Sequence, residues 1–314
     1  MPVALITGVS GQTGSYLAEN LLARGWEVHG VQREDGRDPA VPAGVVLHQA
    51  DLADFPTTAG VVAEVRPDTT WNLAALSSVA ASWTRPIETA QLNGAAVANL
   101  LDAVRALPDL PGGRGFVQAS SAEIFGAAEI SPQTEATPLR PVNPYGASKA
   151  YGHVLAGAYR AAGLRASSVI LYNHESPRRP EAFVTRKITA GVVRILRSQQ
   201  SELVLGNLDV KRDWGWAPDY AEALALAGEA ETADDYLVAT GESHTIRDFV
   251  EAAFTAAGID DWEHLVRVDP AFVRPTDAHE MRGDAGKIHR ALGWSPTKRF
   301  ADVVAAMVEH DLAL

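Results

Sequence analysis

Tyr145 and Lys149 stand four residues apart in a stretch with helical patterning, 145–161. That spacing puts both side chains on one face of a helix. An ammonium beside a phenol favours phenolate, and a positive nicotinamide ring would add to the pull. A phenolate so placed takes a hydroxyl proton while hydride leaves the same carbon. Pro144 fits the first turn of that helix. A surface Tyr–Lys pair is the bland alternative, but Ser120 and Ser121 sit just upstream, at the end of an apolar run. Ser121 can bond the same substrate oxygen as Tyr145. Glu123 points to a further step. A simple alcohol dehydrogenase has no use for a carboxylate beside the transferred hydride. A dehydratase has one, because a ketone at C4 of a sugar makes the C5 proton acidic and in need of a base. A helix-start carboxylate is the alternative for Glu123.

These groups need a hydride carrier and a scaffold. The chain opens on an apolar run, 3–6, then Thr7, Gly8, Gly11, Gln12, Thr13 and Gly14, then an amphipathic segment, 15–24. Strand, glycine turn and helix in that order form a dinucleotide-binding fingerprint. Gly8 makes the tight turn, Gly11 lets the backbone approach a pyrophosphate, and Gly14 lets helix pack on strand. The helix start offers free N–H groups to the phosphates. The second strand ends in Gln32, where an NAD-preferring site usually has an acid, and Arg33 follows. A guanidinium there can hold a 2′-phosphate, which favours NADP over NAD. Glu34 can neutralise Arg33. Asp51 and Leu52, just past the third strand, are placed to meet the adenine, with a helix N-cap as the alternative for Asp51.

Strand-like runs at 3–7, 27–32, 45–49, 70–74, 115–119 and 166–171 alternate with helical patterns such as 61–65, 95–104 and 145–161. Alternation of this kind predicts an α/β fold, a doubly wound parallel Rossmann sheet with its ligand at the carboxyl ends of the strands. After residue 171 the regularity fails. Residues 173–183 read as a Pro- and Arg-rich loop, followed by shorter pieces at 187–197, 203–205, 236–239, 246–257 and 301–312. The expected organisation is a dinucleotide-binding domain with the catalytic residues, 1–172, and a smaller substrate-binding α/β lobe, 173–314. Some of the later chain is expected to cross back to the sheet.

Bulk properties narrow the partners. The net charge of −12 argues against nucleic acid. No run of about 18 apolar residues exists to span a membrane. The absence of cysteine and of a signal-like start fits a cytoplasmic setting. The nine histidines show no ligand spacing, so no metal site is expected. Anionic dinucleotides and nucleotide sugars demand local positive charge, and Arg178, Arg179, Arg186 and Lys187 supply four cations within ten residues. Trp214 and Trp216 can stack on a base or pack a core.

Together the glycine turn, Ser-x-Glu and Tyr-x-x-x-Lys resemble the extended short-chain dehydrogenase/reductase superfamily. More specific stretches resemble the GDP-mannose 4,6-dehydratase family. They are Gly11-Gln-Thr-Gly-Ser-Tyr-Leu17, Asn72-Leu-Ala-Ala75, Asn173-His-Glu-Ser-Pro-Arg-Arg179 and Phe183-Val-Thr-Arg-Lys-Ile188. Leu205-Gly-Asn207, Arg212-Asp-Trp-Gly215, Arg274-Pro275, Gly283-Asp284 and Leu292-Gly-Trp294 continue the match over essentially the whole chain.

The resemblance implies a lyase that uses NADP and a GDP-hexose, GDP-mannose first. Tyr145, helped by Lys149 and Ser121, would oxidise C4 and Glu123 would remove the C5 proton. The C6 hydroxyl would leave as water, and the hydride would return to C6. The resemblance also puts Leu73, Ala74, Ala75, Ser77, His174 and Arg179 against the cofactor. Asn173, Val184, Lys187, Gly206, Arg212 and Arg274 would line the sugar-nucleotide site. The chain departs from the family in several places, Phe125 for a usual tyrosine and Leu76 for a usual glutamine among them. Ala122 replaces a usual serine, which leaves Glu123 as both base and acid. Glu34 replaces a second arginine. The loop 34–44 is short where the family's helps bind NADP and build tetramers, so a homodimer is expected. A GDP-4-keto-6-deoxymannose reductase, another sugar-nucleotide epimerase and a non-catalytic dinucleotide sensor remain as alternatives.

Overall fold

The computed structural model describes residues 1–33, 36–108, 110–272 and 280–314. The first half lays down strands β1 (Val3–Thr7), β2 (Glu27–Gln32), β3 (Val46–Gln49), β4 (Thr69–Asn72), β5 (Gly115–Ser121) and β6 (Arg165–Leu171). Between them run helices α1 (Gln12–Ala23), α2 (Phe55–Val65), α3 (Val79–Thr84), α4 (Pro86–Ala90), α5 (Ala96–Arg105) and α6 (Pro144–Ala161). A π-helical turn, Gln91–Ala95, joins α4 to α5.

The rest of the chain adds β7 (Asn173–Glu175), α7 (Val184–Leu196), β8 (Leu203–Leu205), β9 (Lys211–Arg212), β10 (Trp214–Trp216), α8 (Ala217–Glu229) and β11 (Asp235–Val238). It closes with β12 (His244–Thr245), α9 (Ile246–Ala256), β13 (Val266–Val268), β14 (Glu280–Met281), α10 (Gly286–Leu292) and α11 (Phe300–Ala313).

Seven strands form one sheet in the order β11-β6-β5-β4-β1-β2-β3, with every pairing parallel. This is the doubly wound order, and the switch point lies between β1 and β4. The 236–239 segment, expected among the short later pieces, forms the sheet's edge strand β11. Helix α8, which the sequence patterning did not disclose, lies against α1 and the strand face. Ala221, Ala223, Leu224, Ala225 and Ala227 of α8 are buried with Trp71 of β4. Gly228 packs so closely that a Cβ there would meet the Trp71 ring at 2.2 Å. Helices α2 and α5 cover the opposite face. A separate apolar core joins α7, α9 and α11 around Trp214, Phe249 and Phe254.

Strand β4 ends at Asn72, two residues before the expected limit, because the chain turns onto the Thr7 hydroxyl. That oxygen accepts from the Leu73 and Ala74 amides, each at 3.2 Å, and donates to Asn72 Oδ1 at 2.6 Å. Asn72 Nδ2 donates in turn to Gln118 Oε1 at 2.8 Å. A buried polar rung thus ties β1, β4 and β5 together at their carboxyl ends, where ligands of such sheets bind.

Candidate functional site

Gly8 has φ +69°, and a Cβ on it would fall 2.8 Å from the Ala74 amide nitrogen. Gly14 is more constrained, since a Cβ there would fall 2.1 Å from the Gly8 carbonyl oxygen. Packing therefore dictates both residues. Gly11 has only a 3.2 Å approach to the Gly8 oxygen. It caps α1 without a side-chain bond, which leaves the N–H groups of the first turn facing open space.

That space is one continuous cavity of about 1740 Å³. Single-ligand pockets run to about 300–1,000 Å³, so this one has room for two. Gly8, Gly11, Gln12, Thr13, Gly14, Arg33, Asp51 and Leu52 line it at the β1–β3 end. Leu73, Ala74, Ala75, Ser77, Ser121, Glu123, Tyr145 and Lys149 line the middle, and Asn173, His174, Arg179, Val184, Lys187, Gly206 and Arg212 the remainder. Arg274 and Glu34 lie outside the described residues. Asp51 is not the helix cap that the alternative reading made it. Asp54 caps α2, accepting from the Thr57 amide at 3.3 Å.

Helix α6 carries the candidate catalytic pair. Asn143 caps it, accepting from the Gly146 amide at 2.7 Å, and Pro144 occupies the first turn. Tyr145 and Lys149 are both buried on one face. Tyr145 shares a hydrogen bond with the Ser121 side chain. Burial pushes the phenol up to about 12; Glu123's charge adds to the rise, while the Ser121 bond and the Arg179 charge oppose it. Lys149 Nζ lies 5.9 Å from the Tyr145 ring centre and donates to the Ala119 carbonyl at 2.9 Å. Burial takes this lysine down to about 8.

Glu123 sits in a one-turn 3-10 helix that follows β5. Its amide donates to Ser121 Oγ at 3.2 Å, and its carboxylate accepts from Asn143 Nδ2 at 2.8 Å. Sequence reasoning passed over Asn143, although its place before a first-turn proline is a cap signal. It also missed Asn93 in the π-helical turn. Asn93 accepts from the Leu76 amide at 2.8 Å and donates to the Leu76 carbonyl at 3.1 Å, which pins the loop after β4. Arg37 also went unremarked. It lines the cavity with Arg33, and its guanidinium donates to the carbonyls of Val45 and Pro42.

The basic cluster divides. Arg179 and Lys187 line the cavity. Arg178 turns away to Ser15 Oγ at 3.0 Å and Glu19 at 2.7 Å. Arg186 is buried in an ion pair with Asp311 of α11. Arg179 rests 3.3 Å from the buried Glu175 carboxylate and 3.8 Å over the Phe183 ring. His174 Nε2 meets Thr13 Oγ1 at 2.7 Å, and its Nδ1 meets the Tyr172 carbonyl at 2.8 Å. Burial takes this imidazole down to about 4, with the Arg179 charge adding to the effect. Trp214 packs edge-on to Phe249 at 5.2 Å in the second core and also borders the cavity. Among the described residues no helix is long and apolar enough to cross a membrane.

A dinucleotide fits this cavity. The glycine turn and the start of α1 line it, and the buried Ser120 hydroxyl on the cavity wall has no hydrogen-bond partner. The sheet order and the Ser–Tyr–Lys site define an extended short-chain dehydrogenase/reductase. The sequence model of the GDP-mannose 4,6-dehydratase family matches residues 5–307. GDP-mannose 4,6 dehydratase 1 of Arabidopsis thaliana is 43% identical over 328 residues, which cover 99% of this chain and 90% of that one. The chain belongs to the GDP-mannose 4,6-dehydratase family. Among solved structures, a Thermus thermophilus UDP-glucose 4-epimerase in complex with NAD is 31% identical, with TM-score 0.84 over 98% of both chains. RMD of Pseudomonas aeruginosa, complexed with NADPH, is 25% identical, with TM-score 0.80 over the full length of both.

Proposed function

We propose that this chain converts GDP-mannose to GDP-4-keto-6-deoxymannose with a tightly held NADP. The observation that carries the reading is the placing of Glu123. Its carboxylate lines the cavity with Ser121 and Tyr145, close enough for its charge to act on the phenol. A base beside an oxidising site is what water elimination needs and what plain alcohol oxidation does not.

The glycine turn and the α1 start would hold the pyrophosphate, with Ser77, His174 and Arg179 along the cofactor and Lys149 and Tyr145 beside its ribose. NADP rather than NAD is favoured by Arg33 and Arg37, two guanidinium groups at the β2–β3 end of the cavity. When bound, the nicotinamide supplies a hydride acceptor for C4 and the donor for C6. Tyr145 takes the C4 hydroxyl proton, with Ser121 holding the same oxygen. Glu123 takes the C5 proton from the resulting ketone and hands it to the departing C6 hydroxyl, which leaves as water. The proton on Tyr145 then returns to C5, so the protons and the hydride balance.

Asn173, Val184, Lys187, Gly206, Arg212 and Arg274 would form the nucleotide-sugar half of the cavity, provided mainly by residues 173–314. Trp83, Ile87, Tyr151 and Val154 stay exposed on the packed helices α3, α4 and α6, which supports a homodimer; the absence of cysteine fits the expected cytoplasmic setting.

The test mixes enzyme, NADP and GDP-mannose and follows the sugar by mass spectrometry. Loss of one water with no net change in cofactor is expected. A reductase would leave GDP-mannose intact and consume NADPH against the 4-keto sugar, and that outcome would overturn the reading.

A further inference from the structure

We propose that Asn143 is a positioning residue for the elimination step, holding the Glu123 carboxylate at a fixed place relative to Tyr145. This rests on the reading of Glu123 as the base.

Asn143 is 5% exposed and uses both ends of its carboxamide. The oxygen accepts from the Gly146 amide at 2.7 Å, and only an oxygen can serve there because the backbone group is a donor. The NH₂ therefore faces outward, and it donates to Glu123 Oε2 at 2.8 Å. Capping alone does not explain asparagine. Aspartate caps as well but would present a second negative charge to Glu123. Serine and threonine cap but end short of the carboxylate.

The contact joins two segments already pressed together. A Cβ on Gly146 would fall 2.5 Å from the Glu123 carbonyl oxygen, so the first turn of α6 rests on the Glu123 backbone. The Glu123 amide is fixed independently, by Ser121 Oγ at 3.2 Å. With its main chain held on one side and its carboxylate on the other, Glu123 has little rotational freedom left. The group that takes the C4 proton and the group that takes the C5 proton are thus set by the same turn of helix. Tyr145, Lys149 and Arg179 line the cavity with Glu123, and Glu175, His174, Lys187 and Arg212 are further charged or titratable side chains on its lining.

The experiment compares Asn143→Asp, Asn143→Thr and Glu123→Gln with the wild type in pre-steady-state turnover of GDP-mannose. Reduced cofactor is read at its absorbance band and water loss by mass. Both Asn143 variants keep a cap. Each is expected to oxidise C4 at near the wild-type rate, to accumulate reduced cofactor, and to lose water about tenfold to a hundredfold more slowly. KM for GDP-mannose should stay within about twofold, since the contact does not touch the sugar nucleotide. In Asn143→Asp the second carboxylate opposes ionisation of Glu123, so the acid limb of the kcat profile should move to higher pH. Asn143→Thr should leave that limb in place. Equal loss of oxidation and elimination, with a lowered melting temperature and unmoved pH limbs, would reduce Asn143 to a cap and overturn the proposal. If Glu123→Gln itself still dehydrates normally, the base assignment fails first, and the Asn143 variants are then expected to show no selective loss.

Discussion

The hydroxyl of Thr13 and the imidazole of His174 meet at 2.7 Å, which fastens the glycine turn to the strand that opens the second half of the chain. Gln12 repeats the link, donating to the His174 carbonyl at 2.9 Å and accepting from Ser176 at 2.8 Å. The two halves of the cavity are thus tied together at the start of α1.

This tie should be sensitive to acid. Burial holds His174 neutral until about pH 4, while the unfolded residue takes up a proton near 6.5. Between those values the unfolded state binds more protons, so this group's contribution is complete above 6.5 and is lost as pH falls toward 4. The loss amounts to roughly 3 kcal/mol at most. Buried Asp213, pushed up to about 6, acts in the opposite sense over an overlapping range. The difference between wild type and His174→Gln isolates the histidine. Urea titrations at pH 7 and pH 4.5 should show the gap between the two proteins closing by most of that amount. A pH-independent gap would refute it.

Gly14→Ala tests the cradle. The new methyl would meet the Gly8 carbonyl at 2.1 Å, so strand and helix must separate. Dinucleotide affinity should fall at least about a hundredfold by calorimetry, with a lower yield of folded protein. Gly11→Ala meets only a 3.2 Å contact and should fold normally while still weakening binding.

Breaking the Arg186–Asp311 pair should be costly because both partners are buried. Asp311→Ala strands a buried guanidinium and is expected to destabilise the protein by about 3–5 kcal/mol in denaturant unfolding. The double replacement Arg186→Met with Asp311→Leu should cost less than either single change. A purely additive result would show that the pair is not the coupled unit described.

Cofactor choice can be read without turnover. If Arg33 and Arg37 receive a 2′-phosphate, replacing either by serine should raise the Kd for NADP about tenfold or more and leave that for NAD nearly unchanged. Binding measured by fluorescence quenching at two salt concentrations is sufficient. Equal losses for both dinucleotides would assign the arginines a structural role.

The glycine turn, the first six strands and the Tyr145–Lys149 helix were legible in the sequence because each carries a period or a backbone requirement. Helix α8 was not, since it is buried on most sides and only Glu222 and Glu229 give its narrow outer face a polar mark. The π-helical turn that presents Asn93 differs from an α-helix only in its backbone bonding. The run of four cations was visible, but nothing in a charge run tells which way a side chain turns, and two of the four serve the scaffold. Arg37 escaped notice because it belongs to a loop whose path depends on where Val45 and Pro42 lie.

Strand β11 has a cost during synthesis. A chain leaving the ribosome completes β6 more than sixty residues before β11 exists. Through that interval the outer edge of β6 shows unpaired N–H and C=O groups, and Trp71 lacks the helix that covers it. A nascent chain in that state is a template for strand pairing with its neighbours. Translation that stalls between Leu171 and Asp235 should therefore yield aggregate rather than a half-sized dinucleotide binder.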